Sequence, residues 1–452
     1  MTTVAPTAAP AVLIGRGPHR GPIRRIIAGS LAAGAVLAAV LALIVFAGAA
    51  EPVITGSALL GFAAGWAMLG VLSARMTDQP QRWAWVPAAG LGATGLGLLI
   101  LAPDDGVLTA AGWAWPPLLL ALAAWTVLRI RRSLAAGGGR WLLYPVVAVM
   151  AAAAVGGAVE TVGLAADQRA FAMPGQLYDV GGYRLHLTCT GSAGPTVVLQ
   201  SGLGEFSANW ARIAPAVADT TRVCAYDRAG QGWSDDAPSL QDGLQVAADL
   251  HTLLARAGAH GPYVLVGHSI GGDYAMTYAA RYPEEIAGMV LLDVTDPYRS
   301  DGTTTQAGPP SAIAVLPSVA RLGVGRLLPT SLWSALPEPA ASQVKASKTS
   351  PRGWRNTSDE SATMPALLHQ AQALTTVGSA PLVVLTAAGH DGDRAWATAQ
   401  NRMAALSTQS SHRFADASHA GLLEEEHGAH LSARAIDDVV QAVRSGTPLP
   451  AS

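Results

Sequence analysis

The sequence predicts two parts of different class: five transmembrane helices over 26–165, then an α/β domain over 175–446 with a mostly parallel eight-stranded sheet. Three observations carry this reading. Hydrophobic residues make up 50% of the 452 and charged residues only 13%, against about 25% in ordinary soluble domains, and the deficit lies before residue 165. After residue 174, short β-branched runs alternate with amphipathic helical patterns, the signature of a sheet covered by helices on both faces. One such run, Tyr263–Val266, stops at Gly267-His268-Ser269-Ile270-Gly271, the strand–turn–helix grammar that puts a serine at a strained apex.

In order along the chain, residues 1–25 are expected to be cytoplasmic and carry Arg16, Arg20, Arg24 and Arg25. Five apolar stretches follow, at 26–49, 54–73, 83–102, 108–128 and 141–163, each near the 20 or so residues a spanning helix needs. Arg75 and Arg82 lie in the second connection and Arg129, Arg131, Arg132 and Arg140 in the fourth, whereas Glu51, Asp104 and Asp105 mark the other two. The basic side faces the cytoplasm, so five crossings leave everything after about residue 165 outside. The chain is then a multi-pass cell-membrane protein with an extracytoplasmic α/β domain. Ala47–Ala50 resembles a signal cleavage site, but the apolar core before it exceeds the 7–15 residues of a signal peptide, which favours an uncleaved helix. The spans carry no ionisable group at mid-depth, with Glu160 near the outer end of the fifth. This favours an anchor over a transport pathway.

In the outer part, Tyr178–Val180 and Tyr183–Thr188 flank Gly181-Gly182, a hairpin signal. Strands are expected at 196–200, 222–226, 263–266, 288–293, 382–386 and 411–415. Helices are expected at 240–257 and 430–444, the latter stopping at Gly446.

At these motifs residues 175–446 resemble the α/β-hydrolase superfamily. The resemblance rests on Gly267–Gly271, on Tyr226-Asp227-Arg228-Ala229-Gly230-Gln231-Gly232-Trp233-Ser234, and on Ser418-His419-Ala420. With the spans ahead, the layout is similar to membrane-anchored bacterial α/β-fold serine hydrolases. The resemblance implies an α/β-hydrolase fold with Ser269 as nucleophile and, in the chain order Ser, acid, His, His419 as base. The acid is expected after the seventh strand at Asp391, with Asp393 next and Asp296 third; Asp293 and Asp296 follow the sixth strand, where some members place it. The oxyanion hole is expected from the backbone N–H groups of Ile270 and Leu203. Ser201 stands where many members have histidine. A helical lid is expected within the roughly 85 residues between the sixth and seventh strands, at about 297–375, broken by Pro309, Pro310, Pro317, Pro329, Pro337 and Pro339. In this fold the second and fourth strands are neighbours, so Cys189 and Cys224 could form a disulfide; the alternative is two buried thiols.

The implied activity is hydrolysis of carboxylic esters through an acyl-enzyme. Serine at the elbow sets aside the aspartate-based chemistry of superfamily dehalogenases and epoxide hydrolases. No cofactor is expected, and His427 and His430 alone do not make a metal site. The net charge of −2 points away from nucleic acid and leaves a small acyl substrate, lipid included, and the membrane as partners. The rival readings are a proline-iminopeptidase-like peptidase, for which Glu205 could hold a substrate amine, and a non-catalytic sensor on a membrane bundle.

Overall fold

The structure, a computed structural model, describes residues 23–134, 138–298, 311–333, 335–389 and 393–450. The chain divides into two compact units. One holds residues to Leu41, Thr55–Ala102 and Leu118–Ala152; the other holds Ala42–Ile54, Pro103–Pro117 and Ala153–Ser452.

The helices of the N-terminal region are α1 (Ile23–Val40), α2 (Glu51–Met76), α3 (Trp85–Leu101), α4 (Asp105–Ala111), α5 (Trp115–Ser133) and α6 (Gly138–Ala170). Four helices are long and apolar enough to cross a membrane, or five if the bent pair α4 and α5 is one span. The stretch expected over 108–128 is thus a pair of helices bent by 45° rather than one helix. The helix breaks at 112–114, and the cause is local. Pro116 and Pro117 open α5, and neither has an N–H to continue the preceding helix. In the first unit, α1 and α2 approach at Gly34 and Gly65, where a Cβ on Gly34 would lie 2.8 Å from the Gly65 Cα. Such contacts suit helices that pack without a hydrophobic driving force. Trp66, Leu69, Ile130 and Leu143 are buried in this bundle.

The second unit is built on an eight-stranded sheet. Its strands are β1 (Gln176–Asp179), β2 (Arg184–Thr190), β3 (Thr196–Gln200), β4 (Val223–Tyr226), β5 (Tyr263–His268), β6 (Ile286–Leu292), β7 (Leu382–Ala387) and β8 (Ser410–Ala415). The spatial order is β1-β2-β4-β3-β5-β6-β7-β8. β1 and β2 are antiparallel to their neighbours and the rest are parallel. The parallel strands are apolar on both faces because helices cover both. Alternate residues of each strand go to opposite sides. Leu265, Met289 and Val384 pack with Leu250 of α8 (Gly243–Arg256) and Tyr278 of α9 (Ile270–Arg281). Val266, Val290 and Val383 pack with Val217 of α7 (Ile213–Ala218) and Ile436 of α16 (Glu426–Ser445). Cys189 and Cys224 lie directly opposite across β2 and β4 and are joined as a disulfide.

Between β6 and β7 the chain leaves the sheet. The described part of this insertion holds α10 (Ser311–Ala314), α11 (Leu316–Ala320), 3-10 turns at 324–327 and 330–333, α12 (Ala340–Thr349) and α13 (Pro351–Ala371). Helices were expected in this region, but α12 and α13 were not placed individually, because both are rich in polar residues and lack a long apolar stripe. α14 (Arg394–Ala404) follows β7, and the short α15 (Gly421–Glu424) follows β8.

Replacing both cysteines by serine should cost about 2–4 kcal/mol, as expected for a bridge between residues 35 apart. Urea unfolding of the purified protein measures it, and an unchanged midpoint would mean that the bond contributes nothing to stability.

Candidate active site

β5 lies buried between β3 and β6 and must reverse into α9 within one residue. Ser269 takes that turn at φ +55°, ψ −131°, a conformation that costs a non-glycine residue about 1–3 kcal/mol. The surroundings enforce it. A Cβ on Gly267 would lie 2.4 Å from the Gly272 Cα, and one on Gly271 would lie 2.1 Å from the Gln200 carbonyl oxygen. The glycines of the motif are there because backbone meets backbone. The serine N–H donates to the Leu292 carbonyl at 3.1 Å, which ties the elbow to the end of β6. Its side chain is half-buried.

Asp293 follows immediately, also left-handed at φ +45°, and fully buried. Its Oδ1 accepts the Ala387 N–H at 3.2 Å and the Trp396 Nε1–H at 3.3 Å. Its Oδ2 accepts from His419 Nδ1 at 2.6 Å. His419 sits in the turn after β8 with its side chain 44% exposed. With Nδ1 engaged by the acid, Nε2 is the nitrogen available to a nucleophile. The Ser269 hydroxyl makes no hydrogen bond among the described residues; such contacts often tighten only when substrate is bound.

The carboxylate against His419 is thus Asp293, and none of the three expected acids is shown there. Asp391 lies outside the described residues. Asp393 caps α14, accepting from the Ala395 and Trp396 N–H groups at 3.0 Å. Asp296 accepts the Tyr298 N–H at 2.8 Å in its own loop. Asp293 carried one sequence signal: it is the first polar residue after the apolar run Met289–Leu292.

The loop after β3 runs beside the elbow. Leu203 packs on the cluster that contains Ile270 and Tyr274. The Gly202 N–H donates to Glu205 at 2.8 Å and the Gly204 N–H to Glu360 at 2.8 Å. Between them the Leu203 N–H has no partner among the described residues. Ile270 opens α9, where first-turn N–H groups have no intrahelical acceptor.

A buried charge network, not anticipated from the sequence, holds this loop. Arg228 donates to the Ser201 and Gly202 carbonyls at 2.6 and 2.7 Å and pairs with Glu360 of α13 at 2.7 Å. Its guanidinium lies 4.7 Å from the centre of the Tyr274 ring. On the other side His268 is fixed at both nitrogens. Nδ1 meets Glu205 at 3.1 Å and Nε2 meets the His419 carbonyl at 3.0 Å. Both partners only accept, so both nitrogens carry hydrogen and the ring is an imidazolium. Burial alone would lower its pKa, but the Glu205 charge and hydrogen bond raise it. Burial would likewise raise Glu205, yet His268 holds it down at about 2.

Residues 195–321 match the family model described as alpha/beta hydrolase fold. An uncharacterized protein of Schizosaccharomyces pombe is 37% identical over 27% of this chain and 29% of its own length. Lipase LipV of Mycobacterium tuberculosis is 39% identical over 24% of this chain and 41% of its own. The 2-(acetamidomethylene)succinate hydrolase of Mesorhizobium japonicum is 32% identical over 26% and 42%. A thermophilic esterase from Thermogutta terrifontis matches 60% of this chain and 100% of its own at 23% identity and a TM-score of 0.44. The chain spans under half the length of the first curated relatives, 29%, 41% and 19%. The eight-stranded domain that contains residues 195–321 has the alpha/beta hydrolase fold that this model describes.

The His268–Glu205 pair makes stability depend on pH. Glu205 is held below its ordinary 4.5, so its contribution is present above that pH and lost as pH falls toward about 2. His268 is held above 6.5, so its contribution is full below that pH and lost as pH rises through the raised value. Glu205→Gln should therefore cost most, about 3 kcal/mol, between pH 4.5 and 6.5, and less at higher pH. Thermal unfolding across pH 4–9 (roughly the range in which folded proteins are stable) measures it, and a pH-independent difference would remove the ion pair.

Proposed function

We propose that this chain is a membrane-anchored serine hydrolase of carboxylic esters. The observation that carries it is the His419–Asp293 contact of 2.6 Å at the carboxyl ends of the strands, where the left-handed Ser269 follows β5. In this reading Ser269 Oγ attacks the ester carbonyl carbon while His419 Nε2 takes its proton. Asp293 orients the ring through Nδ1 and stabilises the imidazolium. The N–H groups of Ile270 and Leu203 receive the oxyanion, which develops in a site where Arg228 and Glu360 fix the donor loop in advance. Collapse of the intermediate breaks the ester C–O bond, and His419 returns the proton to the leaving alkoxide. Water, deprotonated by the same histidine, then releases the acid from the acyl-serine.

The relatives named as hydrolases support bond cleavage, and Lipase LipV favours esters among the substrates. Glu205, the carboxylate that would suit a substrate amine, is engaged by His268 and the Gly202 N–H; this argues against the aminopeptidase reading. The N-terminal helices serve as four or five spans, with the N-terminus inside by the arginine bias and the catalytic domain outside. The insertion over 311–371 acts as the lid.

Ser269→Ala and His419→Ala should abolish labelling by a fluorophosphonate probe. Asp293→Asn should lower the ester kcat by about 10³–10⁴-fold while leaving the fold intact by circular dichroism. Absence of labelling in the wild-type protein would sink the mechanism and favour a binding domain. Full activity in Asp293→Asn would return the acid role to the 391–393 loop.

A further inference from the structure

Four carboxylates at the ends of the apolar helices are engaged by two arginines of the insertion. Arg321 pairs with Glu51 and, at 2.7 Å, with Asp105. Arg326 pairs with Glu160 at 2.9 Å and Asp167 at 2.6 Å. The Glu160 side chain is almost wholly buried, and a buried charge left without a partner is costly. Between them the 321–326 turn is pressed onto α6. A Cβ on Gly156 would lie 2.1 Å from the Leu322 carbonyl oxygen, and one on Gly163 would lie 2.7 Å from the Arg326 guanidinium carbon. Gly156, Glu160, Gly163 and Asp167 are spaced by four, three and four residues, which puts them on one helix face. That face is a seam shaped for this turn.

The depth of the seam follows from α6 itself. Gly156 is 17 residues beyond Gly139, or about 26 Å at the helical rise. A hydrocarbon core is about 30 Å thick, so Gly156 lies inside its outer boundary and Glu160 close to it. One position away from the seam, Val155, Val159 and Val162 stand exposed. The turn seated there and the residues after it expose apolar side chains: Leu322 at 40%, Val324 at 46%, Leu327 at 83% and Leu332 at 58%. Asp105, which receives Arg321, also lines a cavity of about 490 Å³ together with Leu164, Phe171, Met173, Phe206 and Trp233.

We propose that residues 319–332 are a membrane-interfacial segment whose exposed leucines enter the outer leaflet, with Arg321 and Arg326 holding it at that depth. The substrate is then a long-chain acyl amphiphile drawn from the bilayer beside this segment. The segment rests on the membrane reading, and the substrate class rests also on the proposed esterase activity.

Both native cysteines are in the disulfide, so single cysteines at Leu327, Leu332, Val155 and Ser445 can be labelled selectively in the full-length protein. Ser445 lies by the turns that precede β3 and β4, beside the Arg444 contacts to Gly194 and Thr220. The probe is a nitrobenzoxadiazole dye in phosphatidylcholine vesicles carrying acyl-chain nitroxide lipid. Dyes at 327 and 332 should be quenched as at 155, with 445 unaffected. Quenching at 155 alone would overturn the interfacial segment while leaving the spans in place, and no quenching at 155 would overturn the membrane reading with it. The double variant Leu327→Asp/Leu332→Asp should lose about tenfold or more on a long-chain ester in vesicles, since burying even one leucine is worth a factor of that order. Its rate on a short water-soluble ester should be unchanged. Equal rates on both would overturn the substrate class, and a wild-type protein inert on either ester would overturn the esterase reading and leave the quenching result standing.

Discussion

The reversal of β5 into α9 at Ser269 is the constraint that the rest of the site accommodates. A buried parallel strand has no room to turn gradually. Gly271 lies against the Gln200 carbonyl and Gly267 against Gly272, at distances no side chain tolerates. Holding the serine at positive φ therefore brings the end of β3 and the start of α9 into backbone contact. That contact brings the loop after β3 against the start of α9, where Leu203 packs on Ile270 and Tyr274. A strained residue persists only where its surroundings over-determine it, and here the surroundings are the sheet's central strands.

Around this turn the protein spends buried charge on position. Arg228 clasps two carbonyls of the loop after β3 and reaches Glu360, whose other oxygen takes the Gly204 N–H. One side chain from the β4 turn thus joins the loop to the insertion helix α13. The His268–Glu205 pair does the same between that loop and the backbone of His419. Such pairs add little net stability against an apolar replacement, but breaking one leaves an uncompensated charge. Their effect is to give the loops around Ser269 and His419 a single geometry.

The carboxylates at the helix ends have an analogous use. Read along the sequence, Glu51, Asp105, Glu160 and Asp167 look like unrelated boundary charges. In space each meets Arg321 or Arg326, so they seat the insertion. Ionisable groups beside apolar helices often mark a transport path; here their partners lie in the same unit as Ser269.

The central strands β3, β5 and β7 were legible because each is a short run rich in β-branched residues whose alternate members face opposite helical layers. The elbow was legible because its glycines are demanded locally by the turn. The break at 112–114 was legible in principle from Pro116 and Pro117, which a window average conceals. The helices α12 and α13 were not, since their polar faces carry no strong period. The pairing of His419 with Asp293 was also beyond reach. Asp293, Asp296, Asp391 and Asp393 all follow the carboxyl ends of β6 and β7, and composition says only that carboxylates are available there. Which one meets the imidazole depends on the left-handed turn at Asp293 and on its clasp by Ala387 and Trp396. The sequence by itself determined the sheet, the nucleophile turn and the apolar helices, since these follow from neighbours along the chain. Only the tertiary structure decided the partner of the histidine, the arginine clasp and the seating of the insertion, because each joins charges more than 100 residues apart whose geometry exists only once the strands are in register.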